Sequence, residues 1–346
     1  MDGPKPKPTI YDLARLSAVS PSTVSAVLNG AWRARRISEA TAARVRTVAS
    51  DQGYSANLQA RGLRRARSGL VGMILPVHDN RFFAAMSQSF EAQARVRGWC
   101  PVVVSTLRDP AEEIRTVETL ISYAVDSLFV AGAANPSALG ELCRAAAVPH
   151  VYVDLPGRDA PSVISDNYRG AELLTRTILA ATPKGPAHAR PVFFGGAAAD
   201  YASARRIEGF RAAAAACGPV APDQVVPCGY APARACREIA ALCERLGGLP
   251  SALFINSLTV FEGVLRHFVK LPPEAFEATV IGCYDYDPFA AFLQFPVHMI
   301  RQNAAGLIAR AFELIEGEVR DPVLIEIEPE LIAPRTIYSG PFSEFG

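Results

Sequence analysis

The stretch TIYDLARLSAVSPSTVSAVLNG, Thr9 to Gly30, reads as two short helices joined by a tight turn. Thr9 and Asp12 form a T-x-x-D capping pattern ahead of an apolar run, so a helix starts near Ile10. Leu13, Ala14 and Leu16 give that helix an inner face, and Ala18-Val19 interrupts it. Ser20 caps a second helix, with Pro21 at its first position, where a missing N–H costs nothing. Val24, Val27 and Leu28 face inward, and Asn29-Gly30 ends the helix. A third helix follows from the cap Ser38, carries Val45 and Val48, and stops at Gly53.

Helices this short make only a small core. Three of them with a basic surface fit a helix-turn-helix domain, whose second helix enters the DNA major groove. On that geometry Pro21, Ser22 and Ala26 occupy exposed, base-facing positions. Ser20, Thr23 and Ser25 meet phosphates or cap backbone, and Thr9 and Asn29 complete the candidate DNA contacts at the helix ends.

The charge distribution agrees. The 346 residues carry a net charge of only +1. From Met1 to Arg67, however, 12 Lys and Arg face 4 Asp and Glu, a net +8, and the remainder carries −7. A basic head on an acidic body suggests a head that meets a polyanion.

The length suffices for two or three domains with real cores. No apolar run is long enough to span a membrane, and the opening residues lack the apolar region of a secretory signal, so a cytoplasmic protein is expected. The seven cysteines are scattered, odd in number and without a C-x-x-C pair, which reads as small buried thiols rather than a metal site.

From Leu70 onward, short apolar runs alternate with helical stretches. LVGMIL precedes a helix near Arg81–Gly98, and PVVVS precedes one near Ala111–Tyr123. SLFVAG, PHVYVD, VFFGG, ALFIN and TVIGCY continue the series. Such alternation means parallel sheet with helices on both faces, and the number of units suggests two such domains. Ligands of these sheets sit beyond the carboxyl ends of the strands, so a cleft between two of them would collect those ends from both sides.

The opening stretch resembles the head of the lactose/purine repressor family of bacterial transcription regulators. YSANLQARGLRR, Tyr54 to Arg65, resembles that family's hinge, with its N-x-x-A-R-x-L-R pattern. The resemblance adds Tyr54, Asn57, Ala60, Arg61, Leu63 and Arg64 to the DNA-contact candidates. Leu63 stands where the family inserts a leucine wedge into the minor groove, at an unstacking cost that the bent contact must offset. The body resembles the family's effector domain, which is similar to periplasmic sugar-binding proteins. RRIEGF carries an R-x-x-G-F pattern with Arg206 as effector contact, and IGCYDYD places Asp285 at a sugar-binding aspartate. ALFINS retains Asn256 but has Ser257, and IGCYDYD has Tyr286, where the family has acids. MIRQN places Gln302 at a crossing between subdomains, and Tyr230 falls where an aromatic covers the ligand. Asp79, Phe82, Arg108 and Asp154 complete the effector candidates. Carboxylates and amides suit several hydroxyls at once, an aromatic face suits a sugar ring, and Arg206 could hold a hydroxyl pair or a phosphate.

The resemblance thus implies an all-α helix-turn-helix head over residues 1–53, a hinge over 54–67, and an α/β effector and dimerisation domain over 68–346. The last would divide into two periplasmic-binding-protein-like parallel-sheet subdomains, about 68–164 with 302–328 and about 165–301 with 329–346. The basic spacer NGAWRARRISEAT and several body segments resemble the subgroup of fructose and sucrose operon repressors. A fructose-type sugar or sugar phosphate is the effector implied, with another sugar or polyol as the alternative. A homodimer on a palindromic operator is expected, since PRTIYSGPFSEFG has no leucine heptad for a tetramer. A transport protein would need an export signal. An enzyme would need a motif such as G-x-S-x-G or H-E-x-x-H, which is not found, so neither catalysis, cofactor nor metal is expected.

Overall fold

A computed structural model of the chain describes residues 8–54, 67–183 and 190–335. It divides into two units, one ending at Ser68 and one beginning at Gly69.

The first unit contains α1 (Ile10–Leu16), α2 (Pro21–Leu28) and α3 (Glu39–Asp51). Each begins on a hydroxyl that accepts a backbone N–H from the first turn: Thr9 from Asp12, Ser20 from Thr23 and Ser38 from Thr41. Thr9 and Asp12 complete a reciprocal capping box, so local chemistry sets the start of the head. Leu13, Ala14, Val24, Val27, Ala42, Val45 and Ala49 form its core. Leu16, expected to face inward, is 50% exposed at the last position of α1.

The second unit begins with β1 (Leu70–Leu75), α4 (Arg81–Val96), β2 (Cys100–Ser105), α5 (Pro110–Ser122), β3 (Ser127–Ala131) and α6 (Pro136–Ala145). There follow β4 (His150–Val153), β5 (Ser162–Ser165), α7 (Asn167–Ala181), β6 (Val192–Phe194), α8 (Tyr201–Ala214), β7 (Val225–Val226) and α9 (Pro232–Leu246). It ends with β8 (Ala252–Ile255), α10 (Leu258–Phe268), β9 (Val280–Tyr284), β10 (Val297–Arg301), α11 (Ala304–Glu316), β11 (Leu324–Ile327) and β12 (Glu330–Ile332).

Among the described residues the strands form two six-stranded sheets, ordered β11-β5-β4-β3-β1-β2 and β12-β10-β9-β8-β6-β7. Every strand pairing is parallel except β10 with β12. Each sheet has an apolar cluster on both faces, which is why strands such as SLFVA and ALFI are buried throughout rather than alternating. In the first sheet Phe129 meets Phe90 and Phe312 at ring separations of 5.0 and 4.6 Å. In the second, Phe193 stacks on Phe254 at 4.8 Å. The chain passes between the sheets after β5, after β10, and between β11 and β12. Not all cysteines are buried as expected: Cys100 and Cys217 are exposed.

Candidate functional site

The candidate effector residues cluster at the carboxyl ends of strands, where backbone groups and helix N-termini leave room for a ligand. Asp154 directly follows β4, Asn256 follows β8 and Asp285 follows β9. Both aspartates have left-handed backbone, with φ of +73° and +112°. Aspartate adopts such angles more readily than most residues, and sparsely populated backbone of this kind recurs at ligand sites.

Asp154, Arg206, Asp285, Gln302, Tyr230, Phe82 and Arg108 line one chamber of about 70 Å³ between the sheets. Arg206, on α8, is buried and reaches it through a fixed geometry. Its Nε donates to Asn167 Oδ1 (2.8 Å), its Nη1 donates to the Asn256 carbonyl (2.7 Å), and its guanidinium lies 3.8 Å from the Tyr284 ring centroid. Asn167 is itself held, donating to the Ser165 carbonyl at 3.0 Å. Gln302 Nε2 donates to Asp285 Oδ1 at 2.6 Å, joining the residue after β10 to the residue after β9.

A second network holds the other wall. Tyr230 Oη donates to Asp200 Oδ2 (2.7 Å) and lies 2.8 Å from Ser203 Oγ, which also accepts from Asn256 Nδ2 at 3.2 Å. Among the described residues, the buried Asn256 Oδ1 and Gln302 Oε1 accept no hydrogen bond. Burial pushes the Asp154 carboxyl up to about 7, with Arg206 opposing and Asp200 and Asp285 adding to the shift. Burial raises Asp285 too, again against Arg206. Burial likewise pushes the Tyr230 hydroxyl up to about 12, so it is a donor at neutral pH.

Two candidates lie apart from the chamber lining. Asn256 stands behind it, holding Arg206 and Ser203 in place. Asp79 is exposed and lines an adjoining cavity of about 870 Å³ with Arg108 and Tyr230. A further cavity of about 700 Å³ opens beside Arg301, Gln302 and Glu328. Arg81 lines both, and its Nε pairs with Asp287 Oδ2 at 3.1 Å, joining α4 to the loop after β9. Asp200, Ser203 and Thr259 were not singled out from the sequence. Asp200 and Ser203 look like the start of a helix, and Asp200 indeed caps α8, accepting from Ser203 N–H at 3.0 Å. Their place beside Tyr230 depends on contacts some thirty residues away.

On the head, Pro21 and Ser22 are exposed at the start of α2, and Thr23, Ser25 and Asn29 are half-buried. Ser20 Oγ lies 2.8 Å from Ser22 Oγ and 2.9 Å from Thr23 Oγ1, and Asn29 Nδ2 donates to Ser25 Oγ at 3.2 Å. Ala26 must be corrected. It is only 5% exposed, because α2 packs against both α1 and α3 and little of its girth is free, so it cannot face a base as it stands. Tyr54 packs on the head core, and Thr9 is exposed and bound to Asp12. Asn57, Ala60, Arg61, Leu63 and Arg64 lie outside the described residues.

A three-helix head of this kind followed by two strand-end-facing α/β layers around a polar chamber defines a DNA-binding regulator with a small-molecule domain. Residues 9–57 match the model of the bacterial regulatory proteins of the lacI family, and residues 71–257 match a periplasmic binding protein domain. The chain is 31% identical to the sucrose operon repressor of Klebsiella pneumoniae over 91% of its own length and 94% of that protein. It is 48% identical to the ribitol operon repressor of Klebsiella aerogenes over 54% of this chain and 70% of that one. Its fold matches the lac repressor dimer bound to operator with a TM-score of 0.78 at 19% identity, covering 96% of this chain and 99% of that one. The chain belongs to the lacI family of bacterial transcription regulators. Among the described residues no helix is long and apolar enough to cross a membrane.

Proposed function

We propose that this chain represses a sugar or polyol operon, binding a roughly palindromic operator as a homodimer and leaving it when an uncharged polyhydroxylated effector occupies the chamber. The carrying observation is the surplus of acceptors there. Asp154, Asp200 and Asp285 face Arg206 and Arg108, and among the described residues Gln302 Oε1 is buried without a donor. Hydroxyl groups supply donors to all of these, whereas a phosphate brings only acceptors and added negative charge. Two further arginines are already taken: Arg205 pairs with Glu208 and Arg301 with Glu330. Fructose and ribitol both fit this chemistry, and fructose 1-phosphate fits it less well.

The chamber shares Arg108 and Tyr230 with one larger cavity and Asp285 and Gln302 with the other, so an effector held there can extend into either. The DNA contacts are Ser20, Pro21, Ser22, Thr23, Ser25 and Asn29 on the head, with Leu63 as a minor-groove wedge. Effector and operator then oppose each other through unequal affinity for two dimer states. The chain works by binding alone and in the cytoplasm, where the operator is.

Fluorescence anisotropy on the DNA upstream of its own gene tests this, at fixed salt, with ribitol, fructose, fructose 1-phosphate and cellobiose in turn. Specific binding relieved by a neutral polyol or sugar is the expected result. Relief by fructose 1-phosphate alone would overturn the effector assignment, and no specific binding would overturn the regulator reading.

A further inference from the structure

The loop between α2 and α3 carries a charge arrangement that the helix-turn-helix does not use. Trp32 packs half-buried against the head core, with Arg33 and Arg46 guanidiniums 4.9 and 5.5 Å from its ring centroid. Arg33, Arg35 and Arg36 are exposed. The loop is closed by its own backbone: Arg35 N–H donates to the Ala31 carbonyl (3.1 Å), Arg36 to Arg33 (3.0 Å) and Ile37 to Trp32 (2.9 Å). Arg36 holds a left-handed φ of +55°, which turns the chain toward Ser38 and α3.

No ion pair forms at Arg33, Arg35, Arg36 or Arg46 among the described residues, although ion pairs are common across the body. The head's other arginines are engaged: Arg15 with Asp12, and Arg44 with the Ser17 carbonyl at 3.0 Å. Stacking on an aromatic ring orders a guanidinium before any ligand arrives, which reduces the ordering cost of binding an anion. Unpaired like charges held together in a closed loop are unfavourable alone and favourable against a polyanion.

Resting on the regulator function proposed for the chain, we propose that the Trp32 loop is a phosphate clamp, gripping the DNA backbone beside the half-site with Arg33, Arg35 and Arg36 and adding affinity without sequence preference. DNA is the occupant because the loop follows directly on the end of α2, the helix presented to the major groove. The clamp gives the chain a sequence-independent hold from which the operator can be found.

The test measures affinity of the full chain, by anisotropy, for its upstream DNA and for an unrelated duplex between roughly 50 and 200 mM salt. The variant is Arg33→Gln/Arg35→Gln/Arg36→Gln. A charge-matched control is Arg115→Gln/Arg176→Gln/Arg266→Gln, whose arginines pair with body glutamates. The slope of log affinity against log salt should become shallower by about 0.9 for each phosphate that is no longer neutralised, about 2 to 3 phosphates per head, on both duplexes. The preference for upstream over unrelated DNA should be unchanged, and the control should behave as wild type. Trp32→Leu should keep the slope while weakening binding severalfold at every salt concentration. If the triple variant melts early, single substitutions at Arg35 and Arg36 carry the test, each expected to lower the slope by about 1.8, that is about 0.9 for each head of the dimer. An unchanged slope, an equal loss in the control, or a loss confined to the upstream duplex would each overturn the clamp. Wild-type protein that does not prefer its upstream DNA would overturn the regulator reading instead, and the slope on the unrelated duplex would still decide the clamp.

Discussion

Asp154 illustrates how a carboxyl buried at a strand end acts against the fold. Its carboxyl is pushed up to about 7, chiefly by burial, whereas an exposed aspartate in the unfolded chain titrates near pH 4. Between those values the unfolded chain has lost the proton and the folded chain has kept it. Raising the pH therefore favours unfolding, and the penalty is complete above about 7. Asp154→Asn should melt close to wild type near pH 4, gain an advantage as pH rises to 7, and hold it at pH 8. A pH series of thermal melts reads this, and a constant offset would exclude it. Arg206 is the opposite case, a charge the fold has already satisfied. Arg206→Lys keeps the charge but loses the planar donor pair that spans Asn167 and Asn256. We expect a loss of about 2–4 kcal/mol in urea unfolding and an operator complex that no longer responds to effector.

At the scale of elements, R-x-x-G-F proves to be three devices on one helix. Arg206 turns into the chamber, and Phe210 stacks edge-on with Phe193 at 5.5 Å in the core. Gly209 lets α8 approach α7 so closely that a Cβ there would lie 2.2 Å from the Tyr168 carbonyl oxygen and 3.0 Å from the Glu172 nitrogen. Backbone cannot yield as a side-chain tip can. Gly209→Ala should therefore destabilise by about 1–3 kcal/mol, and, by shifting α8, should weaken effector binding although residue 209 touches no ligand. Equilibrium unfolding paired with effector calorimetry checks both. The head shows the same economy. Its three helices begin on side-chain caps that can be read directly from Thr9, Ser20 and Ser38.

At the scale of the molecule, three crossings join the two sheets on one side and the Arg81–Asp287 pair bridges α4 to the loop after β9. Both partners are partly exposed, at 46% and 27%, so the pair contributes at most about 1 kcal/mol to the closed arrangement. Asp287→Asn should weaken effector binding by no more than about fivefold and leave the melting temperature almost unmoved. A larger loss in calorimetry would mean that Asp287 touches the effector itself.

Much of this was legible in the sequence, for identifiable reasons. Runs such as LVGMIL and ALFI declare themselves as strands because a sheet covered on both faces needs continuous apolar residues. β11 and β12 do not, since at sheet edges they alternate or remain half-exposed and carry glutamates. Leu16 and Ala26 misled in opposite directions, because helical spacing states which side a residue is on but not how far the neighbours reach. Asp200 and Ser203 carry only the local signal of a helix cap.

The order of the elements, the caps of the head, the basic charge of residues 1–67 and the lacI family membership follow from the sequence alone, because periodicity, capping and charge are local properties. The chamber does not. It is made where strand ends from two sheets meet, so the buried state of Asp154, the unsatisfied acceptor on Gln302 among the described residues, and the Tyr230–Asp200–Ser203 network exist only through contacts between distant residues. Desolvation and hydrogen-bond geometry are set by what surrounds a group in space, and only the tertiary structure decides that.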